Sequence, residues 1–253
     1  KKGYKMKIAV MLKQVPDLVE DLEVDASGIS LDTDDIKFKL NEFDDHALEE
    51  AILLKESGAA DEVVVIAVDG DGVDKMLFTA IAKGADKAVK LNGGKPGDSH
   101  QLGKAFSNAL GSEGFDMVFT GVQSVDDRDG QLGPIVASYL GAPCVSVVSG
   151  VSVSGGTAVV HKEYSGGMMG EFEVDMPAVL GIQAAKQAPR YAPVSKIRQV
   201  QETASIEEVP MGDLGSGSGS SVTSMAPPAK GSGAKMLDDV EELIDVLKDK
   251  GAI

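Results

Sequence analysis

One segment of the chain has the residue types and the spacing of a nucleotide-binding loop. Residues 121–133 lie between an apolar run at 115–120 and a helix-like pattern at 135–140. Gly130 and Gly133 carry no Cβ, so a ligand can approach the backbone closely. The first N–H groups of the helix, from Gly130 to Leu132, would point at an anion such as a phosphate. An ordinary strand-to-helix turn, with Asp residues as N-caps, explains the same pattern.

The elements that must position this loop alternate along residues 6–150. The patterns predict strands at 7–12, 62–68, 88–91 and 115–120, and helices at 47–55, 73–83, 100–110 and 131–140, the first of them capped by Asp44 or Asp45. This alternation predicts an α/β fold with a doubly wound, mostly parallel sheet and helices on both faces. Ligands of such sheets bind beyond the carboxyl ends of the strands, so we expect Met11, Val68 and residues 41–44 to line the same site.

The pattern changes after Pro143. Short apolar runs at 144–148, 151–153, 158–161 and 172–174, separated by glycines, predict an antiparallel addition to one edge of the sheet. Residues 178–182 predict a final buried strand. The sequence thus predicts one α/β domain over residues 1–183.

The remainder of the chain is rich in proline, glycine and serine, and this composition predicts an extended arm. We divide it into a loop at 184–200, a flexible linker at 201–235 and a helix at 236–253. The helix carries an apolar stripe, which either the chain's own domain or a partner subunit must cover; we favour a partner. The stripe consists of Leu237, Val240, Leu243, Ile244 and Leu247.

The loop at 184–200 contains basic residues and no acidic ones from Lys186 to Gln201. The four cations are Lys186, Arg190, Lys196 and Arg198. They either balance neighbouring acids on a solvated loop or form a contact for an acidic partner.

Composition excludes several classes of function. The net charge of −16, the absence of Trp and an aromatic content of 4% argue against nucleic-acid binding. No apolar run approaches the ~20 residues that span a bilayer, so we expect no membrane insertion. A single Cys and three widely separated His residues predict neither disulfide nor metal site. We find no nucleophile, acid–base pair or other catalytic residues, and we expect a cytoplasmic protein.

Six segments, in this order, resemble the beta subunit of electron transfer flavoprotein. They are Val-Met-Leu-Lys-Gln-Val-Pro-Asp at 10–17, the Asn-bearing turn at 40–51, Ala-Lys-Gly-Ala-Asp-Lys-Ala at 82–88, the loop at 121–133, Pro-Arg-Tyr-Ala at 189–192 and the C-terminal helix and tail at 240–253. Any one of these segments is a weak signal, whereas six in order are a specific one. The resemblance covers nearly the whole chain.

The resemblance implies a heterodimer. An alpha subunit would hold a redox-active FAD, and this chain would bind AMP as a structural nucleotide, or a second FAD as in the electron-bifurcating branch; we favour AMP. The pair would exchange electrons with acyl-CoA or other flavin dehydrogenases and with a quinone-linked oxidoreductase. The rival interpretation is a stand-alone adenine-nucleotide-binding protein of the stress type.

The resemblance and the residue pattern together give two sets of candidate residues. The nucleotide set is Met11, Asn41, Glu42, Phe43, Asp44, Val68, Gly121, Gln123, Ser124, Val125, Asp126, Asp127, Gly130, Gln131 and Leu132. The partner set is the apolar stripe of the terminal helix together with Pro189, Arg190, Tyr191, Val194, Lys196 and Arg198. In the second set, Val194 is the expected apolar anchor within a basic rim.

Overall fold

A computed structural model describes residues 5–111, 114–154, 156–229, 231 and 233–253. The chain forms two compact units. The first runs to residue 22 and continues from 33 to 221, and the second comprises residues 23–32 and 222–253.

The first unit contains eleven strands and five helices among the described residues. In chain order they are β1 (Lys7–Leu12), β2 (Gln14–Pro16), β3 (Phe38–Leu40), α1 (Glu42–Glu56), β4 (Glu62–Val68), α2 (Val73–Lys83), β5 (Lys87–Asn92), α3 (Ser99–Leu110), β6 (Met117–Gly121), α4 (Leu132–Leu140), β7 (Cys144–Ser154), β8 (Thr157–Tyr164), β9 (Met168–Asp175), β10 (Ala178–Ile182), α5 (Val194–Thr203) and β11 (Ile206–Pro210).

Nine of these strands form one sheet in the order β11-β5-β4-β1-β6-β10-β7-β8-β9. Pairing is parallel from β11 to β7 and antiparallel from β7 to β9. The predicted fold class, a mostly parallel sheet with an antiparallel edge addition, is confirmed. The apolar runs after Pro143 form three strands that are longer than predicted, because residues 144–154 are a single strand.

The apolar side chains of the sheet divide between two faces. In β1, Ile8 and Val10 contact the core under α1 and α2, whereas Ala9 and Met11 contact the core under α3 and α4. Alternate residues of a strand point to opposite faces, so a strand covered on both sides has to be apolar throughout. The helices therefore lie on both faces of the sheet.

The extended arm predicted from residue 184 is wrong over residues 194–210. These residues form helix α5 and strand β11, which pairs in parallel with β5 from Ile206↔Ala88 to Pro210↔Asn92. The segment that leads to α5 is fixed by acidic residues of α1. The buried carboxylate of Glu50 accepts the N–H groups of Val151 and Lys186, each at 2.9 Å. The backbone of this segment thus has buried hydrogen-bond partners far away in the sequence.

The second unit contains the helix α6 (Val240–Asp249). Asp239 is its N-cap, and the Asp239 carboxylate accepts the N–H of Glu242 at 2.8 Å. Leu237 therefore precedes the helix, and its predicted place on the helical stripe is wrong. Val240, Leu243 and Ile244 are exposed.

Candidate functional site

The sheet extends in opposite directions from its two neighbouring central strands, β1 and β6. From β1 the chain continues to β4 and β5 on one side, whereas β6 is followed through α4 by β7 on the other. The chain leaves these two neighbouring strands towards opposite sides of the sheet, and the topology therefore places a candidate ligand crevice between their loops at the carboxyl edge. Crevices at such reversal points are the usual ligand sites of open α/β sheets. Residues 41–44 and the loop at 122–131 both lie at this edge.

Asp44, in the first turn of α1, joins the ends of the two strands. Its carboxylate accepts the N–H of Lys13 and the N–H of Gly121, both at 2.8 Å. A Cβ on Gly121 would lie 2.7 Å from Cβ of Phe43 and 2.8 Å from the backbone N of Asp44, so only glycine allows this approach. Burial raises the pKa of Asp44 to about 7, although the two N–H groups favour its charged form.

Lys13 links β1 to the loop after β6. Its ammonium donates to Ser124 Oγ at 2.9 Å and forms ion pairs with Asp126 at 2.9 Å and Asp127 at 2.5 Å. Burial lowers the pKa of Lys13, but the hydrogen bond to Asp127 and the charges of Asp127 and Asp126 outweigh this effect, and the pKa lies above its ordinary value. One cation is thus shared by two acids of the loop and offsets part of their negative charge.

The rest of the loop is organised around Asp129. One oxygen of this carboxylate accepts the N–H of Gln131 at 2.9 Å, and the other accepts the hydroxyl of Ser99 at 2.5 Å. Arg128 and Gly130 have positive φ angles of 54° and 63°. Glycine adopts a positive φ without strain, whereas other residues do so at a cost in free energy, so a side chain at Gly130 would strain the loop.

Two buried polar atoms beside the loop have no hydrogen-bond partner within the described part of the chain. The first is Oδ1 of Asn41, whose amide nitrogen donates to the carbonyl of Gln123 at 2.9 Å. The second is the hydroxyl of Thr120, which lies beneath the first turn of α4, 3.1 Å from where a Cβ on Gly133 would be. Buried polar groups normally have partners, and each group that lacks one needs an explanation. A polar ligand in the crevice would supply them.

The predicted nucleotide residues divide into two groups. The structure brings Asn41, Asp44 and Gly121 into direct contact with each other or with the loop. By contrast, Met11 is fully buried in the core under α3 and α4, and Val68 packs against the same core. The side chain of Met11 therefore lies in the protein interior.

Sequence reasoning missed two residues of the crevice, Lys13 and Thr120. Lys13 belongs to the Lys-Gln-Val-Pro-Asp segment, which was noted only as part of a family pattern. Thr120 is a lone polar residue in an apolar strand, and this is the signal that could have identified it.

In the predicted partner segment, Arg190 is bound within the chain. Its guanidinium forms ion pairs with the buried Glu49 at 2.9 Å and with Glu56 at 2.5 Å. Hydrogen bonds to Glu56 and Glu49 raise the pKa of Arg190 above its ordinary value. Lys186 donates to the carbonyl of Val151 at 2.6 Å. These two cations therefore anchor the segment to the body of the first unit.

The other candidate partner residues of this segment lie on or next to α5. Tyr191 is 79% exposed and Val194, the first residue of the helix, is 56% exposed. Lys196 and Arg198 are exposed on the same helix, and Pro193 is its N-cap.

Comparison with known proteins gives a consistent result. Residues 29–214 match the model of the electron transfer flavoprotein domain. The chain is 42% identical over 215 residues to the electron transfer flavoprotein subunit beta of Methylophilus methylotrophus, with coverage of 83% of this chain and 81% of the relative. The chain belongs to the electron transfer flavoprotein family. It is also 30% identical over 253 residues to the mitochondrial electron transfer flavoprotein subunit beta of Arabidopsis thaliana, with coverage of 98% and 100%.

The match to the electron transfer flavoprotein domain includes the crevice loop, α5 and β11, and it ends before α6. The resemblance inferred from the six sequence segments is thereby confirmed. Within the part of the chain that the structure describes, no cluster of three or more His, Cys, Asp or Glu side chains could hold a metal ion. The helices described there are too short or too polar to cross a membrane.

Proposed function

We propose that this chain is the beta subunit of a heterodimeric electron transfer flavoprotein. In this proposal it binds AMP as a structural nucleotide and helps to pass electrons between flavin dehydrogenases and a quinone-linked oxidoreductase. The electrons reside on the FAD of the alpha subunit. This chain supplies a scaffold and a docking surface, without catalytic residues of its own. Family membership and the names of the beta-subunit relatives support the assignment.

The observation that carries the nucleotide assignment is the pair of unpartnered atoms in the crevice. Asn41 Oδ1 is an acceptor and needs a donor, such as a hydroxyl or an exocyclic amine. The hydroxyl of Thr120 can donate to an anionic oxygen beneath the first turn of α4. A nucleotide carries both kinds of group, donors on its nucleoside and an anion on its phosphate. The residues present therefore fit such a ligand.

Substitution of Gly130 tests the site. Gly130→Val should cost most of the nucleotide occupancy, because the backbone at Gly130 would leave its positive φ and a Cβ there would press on the carbonyl of Val122. Occupancy is measured as nucleotide per protein after purification. The matched control is Gly58→Val, which places the same strain at a φ of 78° at the end of α1, where a Cβ has open space. Equal occupancy in the two variants would contradict the assignment.

The identity of the nucleotide and the assembly state need a separate measurement. We expect the complex purified from its native host to contain two different chains, and acid extraction followed by chromatography to release AMP and one FAD. Two FAD molecules and no AMP would instead support the bifurcating alternative. A stable, lone monomer would support the stand-alone stress-type protein and overturn the heterodimer.

A further inference from the structure

The carboxylate of Asp129 lies at the amino-terminal ends of two helices at once. It accepts the N–H of Gln131, the N-cap residue of α4, and the hydroxyl of Ser99, the first residue of α3. Helix amino termini favour negative charge, because their free N–H groups and the helix dipole are directed at the same point. At α3 this position is taken by the N-cap Asp98, whose carboxylate accepts the N–H of Gln101 at 2.9 Å. At α4 Asp129 takes the place that a bound anion would take.

The three acids of the loop differ in how their charge is balanced. Asp126 and Asp127 share the ammonium of Lys13. Asp129 forms no ion pair in the described residues, and its carboxylate accepts only from the hydroxyl of Ser99 and the backbone N–H of Gln131, which are both neutral. Its own backbone N–H donates to the carboxylate of Asp127 at 3.2 Å. The charge of Asp129 is thus balanced by neutral donors at the start of α4 and α3, and the residue is exposed. Among the three loop acids, it is the one that can leave without breaking an ion pair.

Independent evidence that a ligand belongs here comes from the buried, unpartnered atoms. The hydroxyl of Thr120 lies 3.1 Å from where a Cβ on Gly133, in the first turn of α4, would be, and Thr120 is 1% exposed. Asn41, also 1% exposed, donates through its amide nitrogen to the loop carbonyl of Gln123, and its Oδ1 has no partner among the described residues. Asp129 satisfies neither of them. The carboxylate of Asp129 therefore occupies only some of the hydrogen-bonding groups around the loop, and those of Thr120 and Asn41 remain for a ligand.

We propose that Asp129 is an internal competitor for the phosphate of the nucleotide and thereby sets the affinity of this site for phosphate-bearing ligands. This inference rests on the proposed function. When the ligand enters, its phosphate takes over the amino-terminal end of α4 and the carboxylate of Asp129 rotates towards solvent. The negative charge of Asp129, close to the phosphate in both positions, weakens the binding of AMP but has little effect on the uncharged adenosine.

The test is the ratio of the affinities for AMP and adenosine in the nucleotide-stripped complex, measured by titration calorimetry. Asp129→Asn keeps the oxygen that accepts from Gln131 and removes the charge. We expect it to tighten AMP binding about three- to thirtyfold, the range of charge effects at helix ends, while adenosine binding stays the same. Asp129→Ser, which keeps a small acceptor, should change the ratio in the same direction.

The control is Asp175→Asn, which makes the same change in net charge on an exposed side chain at the end of β9, the outermost strand of the sheet. It should leave the ratio unchanged. An unchanged or lower ratio in both Asp129 variants would overturn the inference and leave the proposed function intact. An equal gain in the Asp175 variant would also overturn it, because net charge would then explain the result. Absence of AMP binding in every variant would overturn the proposed function and the inference together.

Discussion

At the scale of single residues, Asp44 is a buried carboxylate at the junction of two central strands. Its buried carboxylate holds the ends of β1 and β6 together, and its pKa is raised from 3.8 to about 7. Between these two values the folded chain binds a proton that the unfolded chain does not. The contribution of Asp44 to stability is therefore fully present below about pH 4 and is lost as the pH rises through 7.

This shift gives a measurable prediction. Between pH 4.5 and 6.5 the free energy of unfolding should fall as the pH rises. The part of this slope that comes from Asp44 should approach about 1.4 kcal/mol per pH unit. Asp44→Asn should remove that component, although it also lowers the stability overall because an amide cannot accept both N–H groups. Denaturant unfolding at several pH values measures it, with Asp71→Asn as the exposed control. Profiles of equal slope in the wild type and the Asp44 variant would contradict the assignment.

At the scale of elements, α5 presents the features of a docking surface. Its first residue is the half-exposed Val194, and exposed Lys196 and Arg198 follow. Pro193 stiffens the chain before the helix and lowers the entropy that is lost on binding. Because Arg190 is bound to Glu49 and Glu56, we expect any charge that steers a partner to come from the helix rather than from the residues before it.

We predict that Val194→Ala slows electron exchange with the partner dehydrogenase about fivefold. The substitution removes part of the apolar contact that Val194 would bury when the partner docks. Charge reversal at Lys196 or Arg198 should mainly lower the association rate, and more strongly at low salt. Stopped-flow measurements across ionic strength record both effects. Lys95→Glu, an exposed charge reversal in the loop before α3, is the control. Identical rates in the α5 variants and the control would show that α5 does not dock the partner.

The elements that the sequence predicted are those with a strong local signal. β1, β4, β6 and β10 are apolar at nearly every position because both faces of each strand are covered, and each was found near its predicted position. The edge strand β11 was missed because its sequence, Ile-Glu-Glu-Val-Pro, has only partly buried apolar residues. The crevice loop was found because glycines follow a buried strand. Lys13 was missed because its partners lie 111 and 114 residues away in the sequence.

At the scale of the whole molecule, α6 raises the question of assembly. Its exposed apolar residues Val240, Leu243 and Ile244 would each contribute ~1.5–3 kcal/mol if fully buried. We predict that truncation before residue 236, or the double change Leu243→Ala and Ile244→Ala, weakens association with the alpha subunit while the first unit stays folded. Glu241→Ala with Asp245→Ala, on the polar face of α6, is the matched control.

Analytical ultracentrifugation measures the association, and thermal unfolding of the isolated chain measures the fold. If the truncated chain lost its folded core while the association of the remaining protein was unchanged, α6 would belong to the chain's own core. A loss of association equal to that of the polar control would mean that the apolar residues are not the contact.

The pairing of β11 with β5 has a consequence for synthesis on the ribosome. Ile206 pairs with Ala88, so more than a hundred residues must be added after β5 before its neighbour exists. At about 5–20 residues per second, that delay is roughly 5 to 25 seconds. During this interval β5 is an open edge, to which other nascent chains can add. Lys87 and Lys90 lie on that edge, and charged side chains of this kind disfavour such pairing until β11 has been made.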